Sequence, residues 1–336
     1  METAHILLAE IWFAILGLFL IFYVVLDGFD LGIGIISLVA KSEQRRNVMM
    51  SSVGSVWDAN ETWLVVFGGA LFGAFPVAYG SILHGLYIPV SLMLFALIFR
   101  GISFEFREHG EHKGLWSQAF GYGSLIAALA QGFALGAVIG GFPVENGEFV
   151  GSVWHWLSLF SLLTALGVVF GYVLLGACYL IMKTSGEIQQ RMYRIATIGA
   201  VMMAICGLAV SIWTPLRFEY VYDRWFNWLN LFWLAPLPLL AIGAFGMLLR
   251  SLYLKQEHAP FVWSVLIFVF SFLGLAVTLF PYLVPDVLSI FDAAARPNTL
   301  VFMLTGIGML IPIMIIYNAY QYLVFRGKVS EQEGYE

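Results

Sequence analysis

Apolar stretches long enough to cross a bilayer recur along nearly all of this 336-residue chain. A membrane-crossing helix needs about 20 mostly apolar residues, because lipid offers no hydrogen-bond partner to an open backbone. Nine such stretches stand out, at residues 6–26, 57–76, 81–99, 116–141, 153–182, 195–213, 229–249, 261–283 and 300–325. The run at 31–40 either prolongs the first helix or packs against neighbouring protein. With 61% hydrophobic residues, 11% charged residues and 29 Phe, the composition excludes a soluble domain. Segments between the stretches are too short to bury cores of their own. The sequence therefore predicts one all-α polytopic domain over residues 1–336, arranged as two four-helix bundles plus a peripheral helix.

Lys and Arg resist crossing during insertion, so their placement predicts orientation. One set of flanking segments holds Lys41, Arg45 and Arg46; Arg100, Arg107 and Lys113; Lys183, Arg191 and Arg194; Arg250 and Lys255; and Arg326 and Lys328. The other set holds only Arg217, Arg224 and Arg296. Thirteen of the 16 basic residues thus fall on one side, which puts the N-terminus outside and the C-terminus in the cytoplasm. The N-terminus has no basic n-region and no A-x-A site, so the first span reads as retained. A net charge of −5 with no basic stripe argues against nucleic acid as a partner. Cys178 and Cys206 lie within spans without CxxC or CxxCH spacing, and read as packing residues.

Four acids contradict the apolar pattern. Asp27 and Asp30 close the first stretch, and Asp58 and Glu61 open the second. An Asp at the centre of a membrane helix costs about 2.5–3.5 kcal/mol on insertion scales, so such groups persist where they meet a partner, a cavity or a proton path. Each pair is three residues apart, the spacing of neighbours on one helix face. The predicted orientation gathers all four toward the cytoplasmic side. Two functions suit them: a proton relay, or cation coordination by oxygen at Asp27 or Asp30. The plainer alternative makes Asp58 a helix N-cap and Glu61 an interfacial acid.

Of the histidines, only His84 and His155 approach the membrane, both at the outer ends of spans. They are either a bis-His haem pair or hydrogen-bonded interfacial residues. Aromatic side chains crowd residues 216–228, which suits the headgroup level or the docking of another subunit. Small residues recur at helical spacing in Gly28/Gly32, Gly69/Gly73, Gly132/Gly136/Gly140 and Gly167/Gly171. These are packing seams within the bundle or toward a partner. Pro89, Pro236, Pro238 and Pro312 lie inside spans and predict kinks.

The segments Asp27-Gly28-Phe29-Asp30-Leu31-Gly32-Ile33-Gly34 and Trp57-Asp58-Ala59-Asn60-Glu61-Thr62-Trp63-Leu64, followed by Gly68-Gly69-Ala70-Leu71-Phe72, resemble subunit II of cytochrome bd quinol oxidases. That resemblance implies a prokaryotic respiratory oxidase in the cell membrane, oxidising quinol and reducing dioxygen to water. It implies haem b and haem d in the partner subunit I, no haem in this chain, and a heterodimer with subunit I. Small single-span subunits, membrane lipids and a structural quinone are further expected associates. Residue by residue, it assigns Asp58 to a proton path from the cytoplasm, with Asp27 and Asp30 lining that path or holding a cation at Asp30. Trp63 would lie on a dioxygen route, and Trp57 and Asn60 complete the motif. Glu61 falls outside the transferable motif and stays a proton-carrying or interfacial acid. No catalytic residue is expected in this chain. Two other classes remain: a haem-b membrane anchor of a quinone-linked dehydrogenase, which needs His84 and His155, and a proton- or cation-coupled transporter.

Overall fold

The structure, a computed structural model, describes residues 2–110 and 112–329. The first helix, α1 (Glu2–Leu38), runs unbroken through the run at 31–38. At 37 residues it is about 55 Å long, more than a bilayer core requires. There follow α2 (Glu43–Ser51), α3 (Trp57–Ala74), α4 (Pro76–Gly85), α5 (Tyr87–His109), α6 (Lys113–Gly140), α7 (Leu159–Lys183) and α8 (Gly186–Arg217). After these come α9 (Glu219–Phe226), α10 (Trp228–Leu234), α11 (Pro236–Tyr253), α12 (Ala259–Leu279), α13 (Ile290–Ala293) and α14 (Pro297–Val324). Two short antiparallel hairpins, Val144–Phe149 and Tyr282–Ser289, lie between helices.

Eight segments among the described residues are long and apolar enough to cross a membrane. α10 and α11 together make one of them. The second predicted span, α3, falls outside this set because Asp58, Asn60 and Glu61 dilute its 18 residues. The stretch predicted at 81–99 is corrected. Residues 76–85 form the separate helix α4, and the crossing helix is α5. The break has a clear cause. Pro76 has no N–H to continue the ladder and disfavours helical geometry at Phe75, which sits at φ −134° and ψ 62°. The Ala74 carbonyl then accepts from the Ala295 N–H at 2.8 Å.

Three of the predicted proline kinks also change character. Pro89 lies in the first turn of α5, and Pro236 and Pro238 lie in the first turn of α11. In a first turn the missing N–H has no intrahelical partner to lose, so these prolines start helices. Pro312 does lie inside a helix, as does Pro215 in α8.

α1, α3, α5 and α6 pack as one group, and α7, α8, α11 and α12 as another. The groups meet where α1 and α6 lie against α7, while α14 packs against the α1–α3 edge. Glycine makes the central seam. A Cβ on Gly32 would stand 1.8 Å from the Tyr172 carbonyl oxygen, and one on Gly176 2.6 Å from the Ile33 nitrogen. Gly132 meets the Ala165 backbone in the same way. Gly69, by contrast, has nothing within 4 Å among the described residues.

Contacts between segments show which helix ends lie together. At one end Arg45 pairs with Glu187, Arg107 with Glu43, and Lys328 with Glu257. Lys183 donates to the Phe325 carbonyl at that end too. At the other, His5 lies 3.0 Å from the Ala295 carbonyl oxygen, and Ser81 donates to the Gly147 carbonyl. The basic segments from five regions of the sequence thus share one end of the bundle.

Candidate functional site

Toward the basic end of the bundle, α1 delivers Asp27 and Asp30 into contact with α5. Both carboxylates and the Arg100 guanidinium are fully buried, at 0% exposure. Arg100 Nη1 donates to Asp27 Oδ1 at 2.6 Å, and Nη2 stands 3.6 Å from Asp30 Oδ2. Asp30 Oδ2 also accepts from Asn60 Nδ2 at 2.8 Å. Asn60 in turn accepts the Tyr322 hydroxyl at 2.8 Å, so α1, α3, α5 and α14 all contribute. The sequence-predicted residues Asp27, Asp30 and Asn60 are brought together. Arg100 and Tyr322 are additions to them.

Arg100 corrects its own sequence assignment. It is no flanking loop cation but an interior residue of α5, which continues to His109. Arg100, Ser103, Phe104 and Arg107 are all buried, the i, i+3, i+4, i+7 pattern of one helix face. Two carboxylates against one guanidinium leave the cluster one negative charge from neutrality. Four of its atoms, Asp27 Oδ2, Asp30 Oδ1, Arg100 Nε and Arg100 Nη2, are buried without a hydrogen-bond partner. The Arg100 guanidinium supplies a positive charge beside Asp30. Among the described residues no group of three or more His, Cys, Asp or Glu is arranged to hold a metal.

Asp58 and Glu61 occupy different settings. Asp58 lies in the first turn of α3 and is exposed. The N-cap position belongs to Val56 and carries no side-chain cap, so the capping alternative for Asp58 does not hold. Glu61, one turn further, is half-buried and within electrostatic range of Asp27, Arg100 and Asp58. The acids therefore form a gradient of burial from Asp58 through Glu61 to Asp27 and Asp30.

Trp57 stacks on Phe104, with ring centroids 5.2 Å apart and planes inclined by 5°. Trp63 is wholly buried between Phe22, stacked at 4.6 Å, and Phe19 at 5.9 Å. Beside Asp27, Gln131 donates to the Tyr23 hydroxyl at 2.7 Å and accepts from Tyr172 at 2.6 Å. The Tyr172 ring lies where a Cβ on Gly28 would be, which explains glycine next to the acid.

His84 and His155 do not fit a haem. Both are exposed, and the Phe149 ring stands 5.4 Å from His84 and 6.1 Å from His155. His155 Nε2 already lies 3.0 Å from the Gly141 carbonyl oxygen.

The family model of cytochrome bd terminal oxidase subunit II matches residues 8–325. Among curated proteins, the Escherichia coli K12 cytochrome bd-I ubiquinol oxidase subunit 2 is 28% identical, over 96% of this chain and 95% of its own length. The Bacillus subtilis cytochrome bd ubiquinol oxidase subunit 2 is also 28% identical, over 97% and 98% respectively. Among solved structures, a chain of the bd oxidase from Geobacillus thermodenitrificans superposes with a TM-score of 0.75 at 22% identity. That match covers 92% of this chain and 97% of the other, and establishes a shared fold. The dehydrogenase-anchor and transporter readings find no support in these matches.

Proposed function

Because the chain belongs to the cytochrome bd terminal oxidase subunit II family, we propose that it is the haem-free half of a heterodimer with subunit I and conducts protons toward that subunit. The b- and d-type haems and the oxygen-reducing site then belong to subunit I, with quinol as electron donor. The membrane is the prokaryotic cell membrane, with the basic end of the bundle in the cytoplasm and the N-terminus outside. A structural quinone and small single-span subunits are compatible additions.

One observation supports the proton reading: an exposed acid, a half-buried acid and a fully buried pair are ranked in burial between α3 and α1. Asp58 receives the proton at the cytoplasmic edge, and Glu61 stands one turn deeper. The Asp27–Arg100–Asp30 cluster sets the field that Glu61 experiences. With two carboxylates and one guanidinium, the cluster is one positive charge short of neutrality. Trp63 and the rings of Phe19 and Phe22 form an apolar wall suited to dioxygen. Asp58 shares the outward face of α3 with Val65 and Phe72, 70% and 61% exposed, a face suited to contact with subunit I along its apolar part.

Asp58→Asn tests the proposal in the assembled complex. The substitution removes the titrating group and leaves the uncapped helix start unchanged. Haem content should persist while turnover falls by on the order of tenfold or more. Asp58→Glu should restore part of it. Full turnover in an assembled Asp58→Asn complex would remove this residue from the path.

A further inference from the structure

A groove of about 770 Å³ opens between the C-terminal end of α1 and the first turns of α8, at the basic end of the bundle. Its polar lining includes Lys41, Arg45, Arg191, Arg194 and Glu187, four cations against one acid. Glu187 is committed to Arg45 at 2.5 Å. Arg191 Nη2 donates to the Val39 carbonyl at 2.9 Å, which holds its guanidinium across the groove. Among the described residues, the side-chain cations of Lys41 and Arg194 have no hydrogen-bond or ion-pair partner. The groove therefore carries a surplus of three positive charges, two of them uncommitted. This differs from the neighbouring Arg46, Arg107 and Lys328, each of which faces a carboxylate.

The other wall is apolar. Ile195 and Ile198 line it beside Arg191 and Arg194. Residues 187, 191, 194, 195 and 198 recur at helical spacing, so one face of α8 changes from charged to apolar along its length. That face continues outward through exposed Val201, Ile205, Leu208 and Ile212. A phosphate-bearing ligand seated on Lys41 and Arg194 thus has a hydrocarbon-compatible track running from it into the membrane. A soluble anion would have no use for that track. Basic recesses between transmembrane helices suit anionic lipid headgroups, whose acyl chains lie along the adjoining helix surface.

We propose that this groove is a binding site for an anionic phospholipid of the leaflet at the basic end of the bundle. Lys41, Arg191 and Arg194 hold the phosphate, and α8 from Ile195 to Ile212 bears an acyl chain. The lipid fills the gap between the two four-helix groups, since α1 belongs to one and α8 to the other.

The test uses the assembled oxidase in nanodiscs of phosphatidylcholine doped with phosphatidylglycerol, released for native mass spectrometry. The unaltered complex should retain phosphatidylglycerol selectively over phosphatidylcholine. Lys41→Gln/Arg191→Gln/Arg194→Gln should lose that lipid. Lys113→Gln/Arg250→Gln/Arg326→Gln, with the same charge removed elsewhere, should keep it. Among the described residues Arg194→Glu alone breaks no hydrogen bond or ion pair, and it should weaken retention, which covers failure of the triple variant to assemble. Inorganic phosphate and glycerol 3-phosphate should not displace the lipid. Equal retention in the two triple variants, loss of selectivity in the unaltered complex, or displacement by inorganic phosphate would each overturn the assignment.

Discussion

Arg100 and Asp27 meet 2.6 Å apart, with neither side chain accessible to solvent, across a sequence separation of 73 residues. Taking both ions out of water is costly, and the cost is recovered only while each has the other. Arg100→Leu therefore strands two carboxylates in the bundle, and should destabilise it by about 3–5 kcal/mol. The expected result is loss of assembled complex in membrane extracts. Arg100→Lys keeps the charge but not the fork that addresses Asp27 and Asp30 together, so it should assemble with a lowered unfolding temperature. Normal assembly of Arg100→Leu would show that the ion pair is dispensable.

The α1–α7 seam predicts a sharply position-dependent glycine effect. Gly32→Ala drives a methyl group into the Tyr172 carbonyl, a backbone atom that cannot rotate away. Overpacking of this kind costs about 1–3 kcal/mol. Gly207→Ala, with nothing within 4 Å, should leave the unfolding midpoint of the complex unchanged. Equal midpoints for the two variants would mean that the helices separate easily.

Much of this was legible because lipid imposes a simple rule on sequence: long apolar runs become helices, and basic residues collect at one end. The acids at 27 and 30 announced a buried site for the same reason. Arg100 was hidden by its position directly after Phe99, the last residue of the apolar run at 81–99. The periodicity Arg100, Ser103, Phe104, Arg107 carried the missing signal, since a loop has no reason to repeat every three to four residues. The Asn60–Tyr322 hydrogen bond joins residues 262 apart and depends on how α14 packs on α3, which no local pattern encodes. The turn at Asn146 and Gly147, with φ of 51° and 82°, is the conformation an Asn-Gly pair favours, a local signal left unread in the sequence.

At the basic end, Glu43 predicts a pH effect outside the membrane. Burial works against its charged form. The Ser117 hydroxyl and the Arg46 guanidinium, followed by the charge of Arg107, outweigh this and hold the carboxyl below its ordinary 4.5. A group depressed in the folded state stabilises it above the unfolded value, and that stabilisation disappears as pH falls through the folded one. The midpoint difference between the unaltered protein and Glu43→Gln should stay constant above pH 4.5 and shrink below it. A difference that grows on acidification would reverse the assignment.

Orientation can be read from two positions at opposite ends of a single helix. α6 runs from Lys113 to Gly140, about 42 Å, and the hairpin bearing Glu148 follows it directly. Both Lys113 and Glu148 are exposed, so a cysteine at either is reachable from its own side. The natural cysteines give little background, because Cys178 and Cys206 are buried at 0% and 5% exposure. Ser81 holds the hairpin through the Gly147 carbonyl, and substitution at Glu148 leaves that bond in place. A membrane-impermeant maleimide applied to intact cells should label Glu148→Cys and spare Lys113→Cys until the membrane is opened. The reverse pattern would turn the whole bundle over and move the acids of α1 and α3 to the outer side. Labelling of both positions in intact cells would show that α6 does not cross the membrane at all.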